Sequence, residues 1–385
     1  MTDENRAFPP SLSYWEISEY LTNLDLVVIG SGIVGLTSAI FYRKLHPNAK
    51  VLVLEKGILP AGASTKNAGF ACFGSLSELL ADMNLESEEA VFNLVKQRVD
   101  GLNSLRKLIG DEKLKYDNCG GYELFLEGDE ELFQRCVSFL DPANKNVLKT
   151  LGLKSTYSVC DDSILKFGFG SVKHLILNRH EGSIDTAAMM SSLVSLAQSL
   201  GIRILNGCHV SSWSDLNDSV RVELNGNLEV RCKRLHVATN GFAKELLTTE
   251  DVAPARAQVL ITKPIEGLKV RGTFHMEEGF YYFRNVDNRL LLGGGRNLDK
   301  TGETTTELKT TELIQNKLES LLEKVILPET PFEIEHRWSG VMGVGQSKAP
   351  IVKQVSDHVT CAVRMGGMGV ALGTSIGRQS ANLIG

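Results

Sequence analysis

The feature that most constrains this chain is a short glycine pattern, Gly30-Ser31-Gly32-Ile33-Val34-Gly35. It follows an apolar run, Asp25 to Ile29, and opens a stretch with helical spacing that reaches Leu45. A second apolar run from Val51 ends at Glu55, twenty residues beyond Gly35. Strand, tight turn, helix and strand within about thirty residues form the repeating unit of a parallel α/β sheet. In that setting each glycine has a task. Gly30 makes the turn, Gly32 lets backbone approach a pyrophosphate, and Gly35 lets helix and strand pack closely. The helix start offers free N–H groups and the positive end of its dipole to phosphate. Glu55 can accept hydrogen bonds from ribose hydroxyls, and its charge would repel a 2′-phosphate. The segment reads as a dinucleotide site.

FAD and NAD share that fingerprint, so later segments must decide between them. Ala61 to Gly69 follows the Glu55 strand directly and contains Ala63, Ser64, Thr65, Lys66, Asn67, Ala68 and Gly69. Small and hydrogen-bonding residues here suit a backbone wrapped around a large planar cofactor, for which an NAD enzyme has no need. Val237 to Gly241, with Thr239, Asn240 and Gly241, ends a strand with small residues that allow close approach to an adenosine diphosphate arm. Met365 to Ala371, with Gly366, Gly367, Met368, Gly369 and Val370, runs into the last helix. Its N–H groups can face the edge of a flavin where reduction builds negative charge. These segments favour FAD, with an NAD-dependent dehydrogenase as the alternative.

Composition narrows the partners. The 385 residues carry a net charge of −5, which gives no basic field for nucleic acid or anionic lipid. No window approaches the ~18 apolar residues of a membrane span. Met1 to Pro10 lacks the basic start and apolar core of a signal peptide, so a cytoplasmic protein is expected. Seven cysteines include no C-x-x-C pair, which points to reduced thiols rather than a zinc site or redox dithiol. Cys72 and Cys361 lie near the flavin segments and leave a covalent flavin link open. The histidines show no ligand spacing, His174 and His180 included, and no metal is expected.

Along the rest of the chain the patterns predict helices over Glu86–Leu108, Asp129–Leu140, Thr186–Leu200 (capped by Asp185) and Thr310–Lys324. Strands are expected at 121–127, 202–205, 220–224, 228–231 and 332–338, with hairpins across Asn225-Gly226-Asn227 and across Val286 to Asn288. The leader from Ser11 to Glu16 reads as a surface segment. The resulting fold class is α/β, a Rossmann-type FAD/NAD(P)-binding domain of the glutathione-reductase-like kind with an inserted mixed-sheet substrate domain. The nucleotide-binding part is expected from residues 22–85, 180–250 and 335–385, and the cap from 86–179 and 251–334.

Taken in order, the motifs resemble the D-amino-acid-oxidase-like superfamily of FAD-dependent oxidoreductases. They are Gly30 to Gly35, Glu55, Gly62 to Gly69, Glu181 to Asp185, Ala238 to Gly241 and Gly366 to Gly369. Within it, Ser13 to Glu16, Tyr282-Phe283-Arg284 leading to Gly293–Gly295, and Arg337 to Gly340 are similar to γ-glutamylputrescine oxidase-like amine oxidases. Cofactor contacts implied on this basis also include Ser31, Ile33, Val34, Lys56 and Val210. The resemblance implies oxidation of a carbon–nitrogen bond to an imine, with hydride passing to flavin N5 and no dedicated base required. Tyr282, Arg284, Trp338 and Met342 are the implied pocket residues, with Tyr281 facing the opposite side of the strand.

One departure concerns the substrate. Relatives acting on amino acids usually place an arginine just after the W-x-G segment to pair with a carboxylate. Here Met342 stands near that position, and Gly366 to Met368 carries no arginine either. Arg284 or Arg296 can supply an anchor instead; otherwise an amine is the better substrate. The partner is thus a small amine or amino acid, with O2, a quinone or a protein as electron acceptor. A flavin-holding subunit without turnover is the remaining alternative.

Overall fold

The computed structural model describes residues 11–226 and 228–385; Met1 to Pro10 and Asn227 of the 225–227 turn lie outside them. Leu24–Ile29 is the central strand of a parallel core. Val51–Leu54 and Arg203–Leu205 lie on one side, and Leu228–Val237 and Val359–Val363 on the other. Ile351–Ser356 adds an antiparallel edge, Val220–Leu224 pairs with the first half of Leu228–Val237, and Val210–Asp215 pairs in turn with Val220–Leu224. Leu26 and Val28 join one hydrophobic cluster while Val27 and Ile29 join another. Both faces are covered, which is why the strand is apolar without alternation.

Helix Ile33–Leu45 forms over the range that its spacing predicts, and its first ten residues are buried. Its close neighbours are held at glycines. A Cβ on Gly35 would lie 1.9 Å from the Gly30 carbonyl oxygen. The last helix, Gly369–Ile384, packs on it and also on Glu88–Ile109, where a Cβ on Gly101 would lie 1.9 Å from the Ala371 carbonyl oxygen. Asp185 caps Thr186–Ser199 by accepting from the Ala188 N–H at 2.9 Å, as the sequence predicts.

A second sheet of eight strands stands beside the first. Its order is Ile334–Val344, Ala253–Thr262, Arg289–Gly294, Tyr281–Val286, Thr273–Met276, Gly121–Leu126, Val172–Asn178 and Tyr157–Val159. The contact between Thr273–Met276 and Gly121–Leu126 is parallel and the other pairings are antiparallel. Phe274, Tyr281 and Phe283 bury one face against Leu318 and Leu322. The hairpin from Tyr281 to Gly294 turns through Asp287 and Asn288, with Asp287 at φ 53°. Ile334–Val344 belongs to this sheet, although the sequence division counts most of it with the nucleotide-binding part. Conversely, Glu88–Ile109 packs on the last helix although that division counts it with the cap.

One helix differs from its expected length. Glu130–Leu151 continues through Pro142, where the sequence reading stops at Leu140. Proline removes one helix hydrogen bond. Beyond it, Ala143 and Val147 are buried, and the Asn144 amide donates to the Tyr157 carbonyl oxygen at 2.9 Å while accepting from its N–H at 2.8 Å. That tertiary anchoring outweighs the local break.

His236 is fully buried between Ser38 Oγ at 3.3 Å and Thr360 Oγ1 at 2.9 Å, and burial drives its pKa down to about 3. The unfolded chain would titrate near ~6.5, so it binds a proton the folded chain refuses. Stability is therefore full above about 6.5 and falls as the pH drops toward about 3. Between about pH 7 and about pH 5, wild type should lose roughly 2 kcal/mol more than His236→Gln in urea unfolding.

Candidate active site

A cleft of about 890 Å³ runs between the two sheets, toward the upper end of the range for small-molecule sites. One end is built by the glycine turn. Gly30 has φ +102°, and a Cβ there would sit 2.8 Å from the Ala238 carbonyl oxygen. A Cβ on Gly32 would sit 2.9 Å from Ser64 Oγ, which already accepts the Ile33 N–H at 3.0 Å. The remaining first-turn N–H groups of Ile33–Leu45 have no partner within the helix. Glu55 is 8% exposed and lines the cleft. Its Oε2 accepts from the N–H and hydroxyl of Ser31 at 3.1 and 2.7 Å, and Oε1 accepts from the Gly57 N–H at 2.9 Å. A carboxylate offers about four acceptor positions, so this grip fixes the group and leaves capacity for a ribose hydroxyl.

Further along, Ala63–Lys66 forms one helical turn. The Asn67 amide closes the loop. It donates to the carbonyls of Ala63 at 3.1 Å and Ser64 at 2.9 Å, and accepts from the Gly69 N–H at 2.8 Å and the Thr186 hydroxyl at 3.0 Å. Opposite, the Asn240 side chain accepts from the Met365 N–H at 3.0 Å, and Gly366 N–H donates to the Gly343 carbonyl at 3.0 Å. The 238–241 and 365–370 segments are thereby tied into one wall.

Of the cofactor and pocket residues expected from the sequence, Ser31, Gly35, Thr65, Gly69, Arg284 and Trp338 lie off the cleft, and all the others line it. Those six act from behind. The Thr65 hydroxyl donates to the carbonyls of Pro60 and Gly62. Arg284 does not face the cleft as a substrate anchor: Nη1 donates to the carbonyls of Gly69 and Ile184, both at 2.8 Å. The Trp338 indole donates to the Lys66 carbonyl at 3.0 Å. Loops that present backbone to a cofactor carry unpaired carbonyls on their other side, and these side chains satisfy them.

The other end is roofed by the second sheet. Register aligns Glu123, His275, Tyr282, Gly293, Val259 and Trp338 in one row across six strands. Tyr282 faces the cleft with its ring over Gly293, and Phe70 packs edge-on to it at 5.8 Å. Burial pushes the Tyr282 hydroxyl up to about 12. Tyr281 points the other way and is fully buried. Met342 lines the cleft, as does Arg296, whose Nε has no hydrogen-bond partner. Cys72 lines it too, its thiol pushed well above the ordinary range by burial, whereas Cys361 lies inside the parallel sheet. Among the described residues no group of His, Cys, Asp and Glu is arranged to hold a metal ion, and no helix is long and apolar enough to cross a membrane.

Sequence reasoning missed Phe70, Glu78, Arg98 and His275, all on the cleft wall. Only Glu78 had a local signal: Ser75 and Glu78 form a capping box, with Oε2 accepting from the Ser75 N–H and hydroxyl at 3.0 Å. The others depend on strand order and helix packing.

The sequence profile described as "DAO: FAD dependent oxidoreductase" matches residues 25–383, and the chain belongs to that family. FAD is its cofactor, and the cradle at Gly30–Ile33, the Glu55 carboxylate and the two tied loops fit that group. No curated protein matches by sequence. Solved structures share the fold. L-proline dehydrogenase from P. horikoshii superposes with a TM-score of 0.74 at 18% identity, over 94% of this chain and 93% of that one. Glycine oxidase from Bacillus cereus ATCC 14579 gives 0.76 at 16% identity, over 94% and 95%. Iminodiacetate oxidase from Chelativorans sp. BNC1 gives 0.72 at 16% identity, over 93% and 95%.

Removing the Glu55 carboxylate leaves the N–H groups of Ser31 and Gly57 without their acceptor. Glu55→Ala should weaken FAD binding by about 10- to 100-fold, the effect of losing charge-assisted hydrogen bonds, as read by flavin fluorescence on titrating the apoprotein.

Proposed function

We propose that this FAD-dependent oxidoreductase oxidises a carbon–nitrogen bond of a small amine or amino acid to an imine. The observation that carries the reading is the cavity at one end of the cleft, walled by Phe70, Val259, Tyr282 and Met342, with Met342 following Trp338-Ser339-Gly340 where relatives acting on amino acids carry an arginine. The neighbours whose names specify a substrate act on proline, glycine and iminodiacetate. When bound, the flavin supplies the two-electron acceptor for a hydride from the substrate's α-carbon.

This chain's residues would then divide the remaining work. Gly30–Val34 and Glu55 hold the adenosine diphosphate half, with Lys56, Val210 and Thr239–Gly241 beside it. Ala63–Ala68 and Gly366–Val370 hold the ring system. The apolar cavity disfavours an alkylammonium, which titrates near ~10 in water, and so favours the neutral amine that releases hydride. Met342 leaves a simple α-amino acid without an anchor beside the flavin. Arg284 is engaged with the loop behind it. A carboxylate separated from the amine by several atoms can reach Arg296 instead. Electrons leave to O2 or, as the structural likeness to a proline dehydrogenase suggests, to another acceptor.

The test is an anaerobic visible spectrum of the holoenzyme titrated with polyamines, N-methyl amino acids and D-amino acids. Bleaching by one class identifies the donor, and admitting air separates oxidase from dehydrogenase; no bleaching by any class sinks the reading. Tyr282 stays protonated to about 12. Tyr282→Phe should therefore change the rate of bleaching by a constant factor from about pH 6 to about pH 10, and a pH-dependent ratio would show the hydroxyl titrating within that range.

A further inference from the structure

The row roofing the substrate end contains one residue that the reading above leaves unused. His275 stands on Thr273–Met276 between Glu123 and Tyr282, is 5% exposed, and lines the cleft. Its Nε2 is buried without a hydrogen-bond partner and faces Glu181 Oε2 at 3.8 Å. Glu181 is 1% exposed, and its Oε1 accepts from the N–H groups of Phe73 at 2.9 Å and Gly74 at 3.0 Å. Gly121 closes the far side, since a Cβ there would lie 2.0 Å from Glu181 Oε2. The carboxylate is fixed, and the imidazole is what its second oxygen faces. A buried ring nitrogen left unbonded is costly, and a proton shared with the carboxylate it faces relieves the cost.

Several ionisable groups surround this pair. Glu78 comes from helix Leu76–Met83, Glu123 from the adjoining strand and Arg98 from helix Glu88–Ile109. Tyr157 and Cys72, pushed up by burial and then by Glu181 and Glu78, complete the ring together with Lys348, which acts on Glu78. Burial raises Glu123 to about 7 and raises Glu181 as well. Glu78 is lowered: burial opposes this, but His275, the Ser75 backbone, Lys348 and Arg98 outweigh it.

We propose that His275, backed by Glu181, accepts the proton of the substrate ammonium before hydride leaves. The inference rests on the substrate being an amine. One N–H bond of the ammonium breaks, its electron pair stays on nitrogen, and the proton bonds to the imidazole; no electrons change hands in the step. The freed lone pair is what allows the α-carbon to lose hydride. An imidazole near ~6.5 is a weak base against an ammonium near ~10, and a carboxylate behind the ring narrows that gap by stabilising the imidazolium. His275 is thus a catalytic residue and Glu181 a positioning one.

The experiment uses FAD-loaded wild type, His275→Gln, His275→Asn and Glu181→Gln, each checked for flavin content and thermal stability. Anaerobic flavin bleaching by the same amine panel is followed in a stopped flow from about pH 6 to about pH 10. Wild type should gain rate as the pH rises. The His275 variants should lose that limb, fall ~100-fold near pH 7, and approach wild type where the amine is already neutral. In protein carrying 13C-histidine, Glu181→Gln should move the His275 ring resonances at fixed pH, a readout that survives if a His275 variant fails to fold. Bleaching of wild type together with an unchanged His275→Gln profile overturns the role of His275 alone, and unmoved His275 resonances overturn the pairing with Glu181. If no amine bleaches wild type, the amine reading fails first and this role falls with it.

Discussion

The structure depends on how closely the first helix lies to the first strand. With the Gly30 carbonyl 1.9 Å from where a Gly35 Cβ would be, the only side chain that position admits is none. That contact sets the tilt of Ile33–Leu45, so its N-terminus points into the cleft, and it fixes the surface on which Gly369–Ile384 packs. The last helix in turn receives Glu88–Ile109 through Gly101. Interiors packed like crystals transmit such constraints with little slack. The position of a cleft wall is thus fixed by a chain of backbone contacts rather than by any long side chain.

A second layer of control is polar. Arg284, Trp338, Asn67 and Glu181 each reach backbone groups of segments that line the cleft. Satisfying buried carbonyls and N–H groups from behind leaves the front of each loop free to meet a ligand. This arrangement explains why two residues that look like substrate contacts in the sequence, Arg284 and Trp338, are supports. Their partners are 215 and 272 positions away.

The fold was legible where local rules decide. Helix Ile33–Leu45, the Asp185 cap and the hairpin through Asp287 and Asn288 appear where spacing, capping chemistry and turn residues put them. Most of the glycine-rich cleft wall was legible for the same reason, since its motifs are contiguous. The run of Glu130–Leu151 through Pro142 was not, because Asn144 and Tyr157 meet only after folding. His275 was not legible either. Nothing around it in sequence marks it, and Glu123 reaches its side only through a parallel pairing across some 150 residues. This end of the cleft is a product of strand order, which no window of sequence contains.

That interleaving bears on how the protein comes into being. The wall opposite Gly30 is made by residues 238–241 and 365–370, so the cleft lacks one side until residue 370 has left the ribosome. A chain made N-terminal first exposes its apolar central strands until then without the ligand that could stabilise them. Supply of flavin can help this protein only after that segment has emerged, and a nascent chain must rely on chaperones, or on speed, until then.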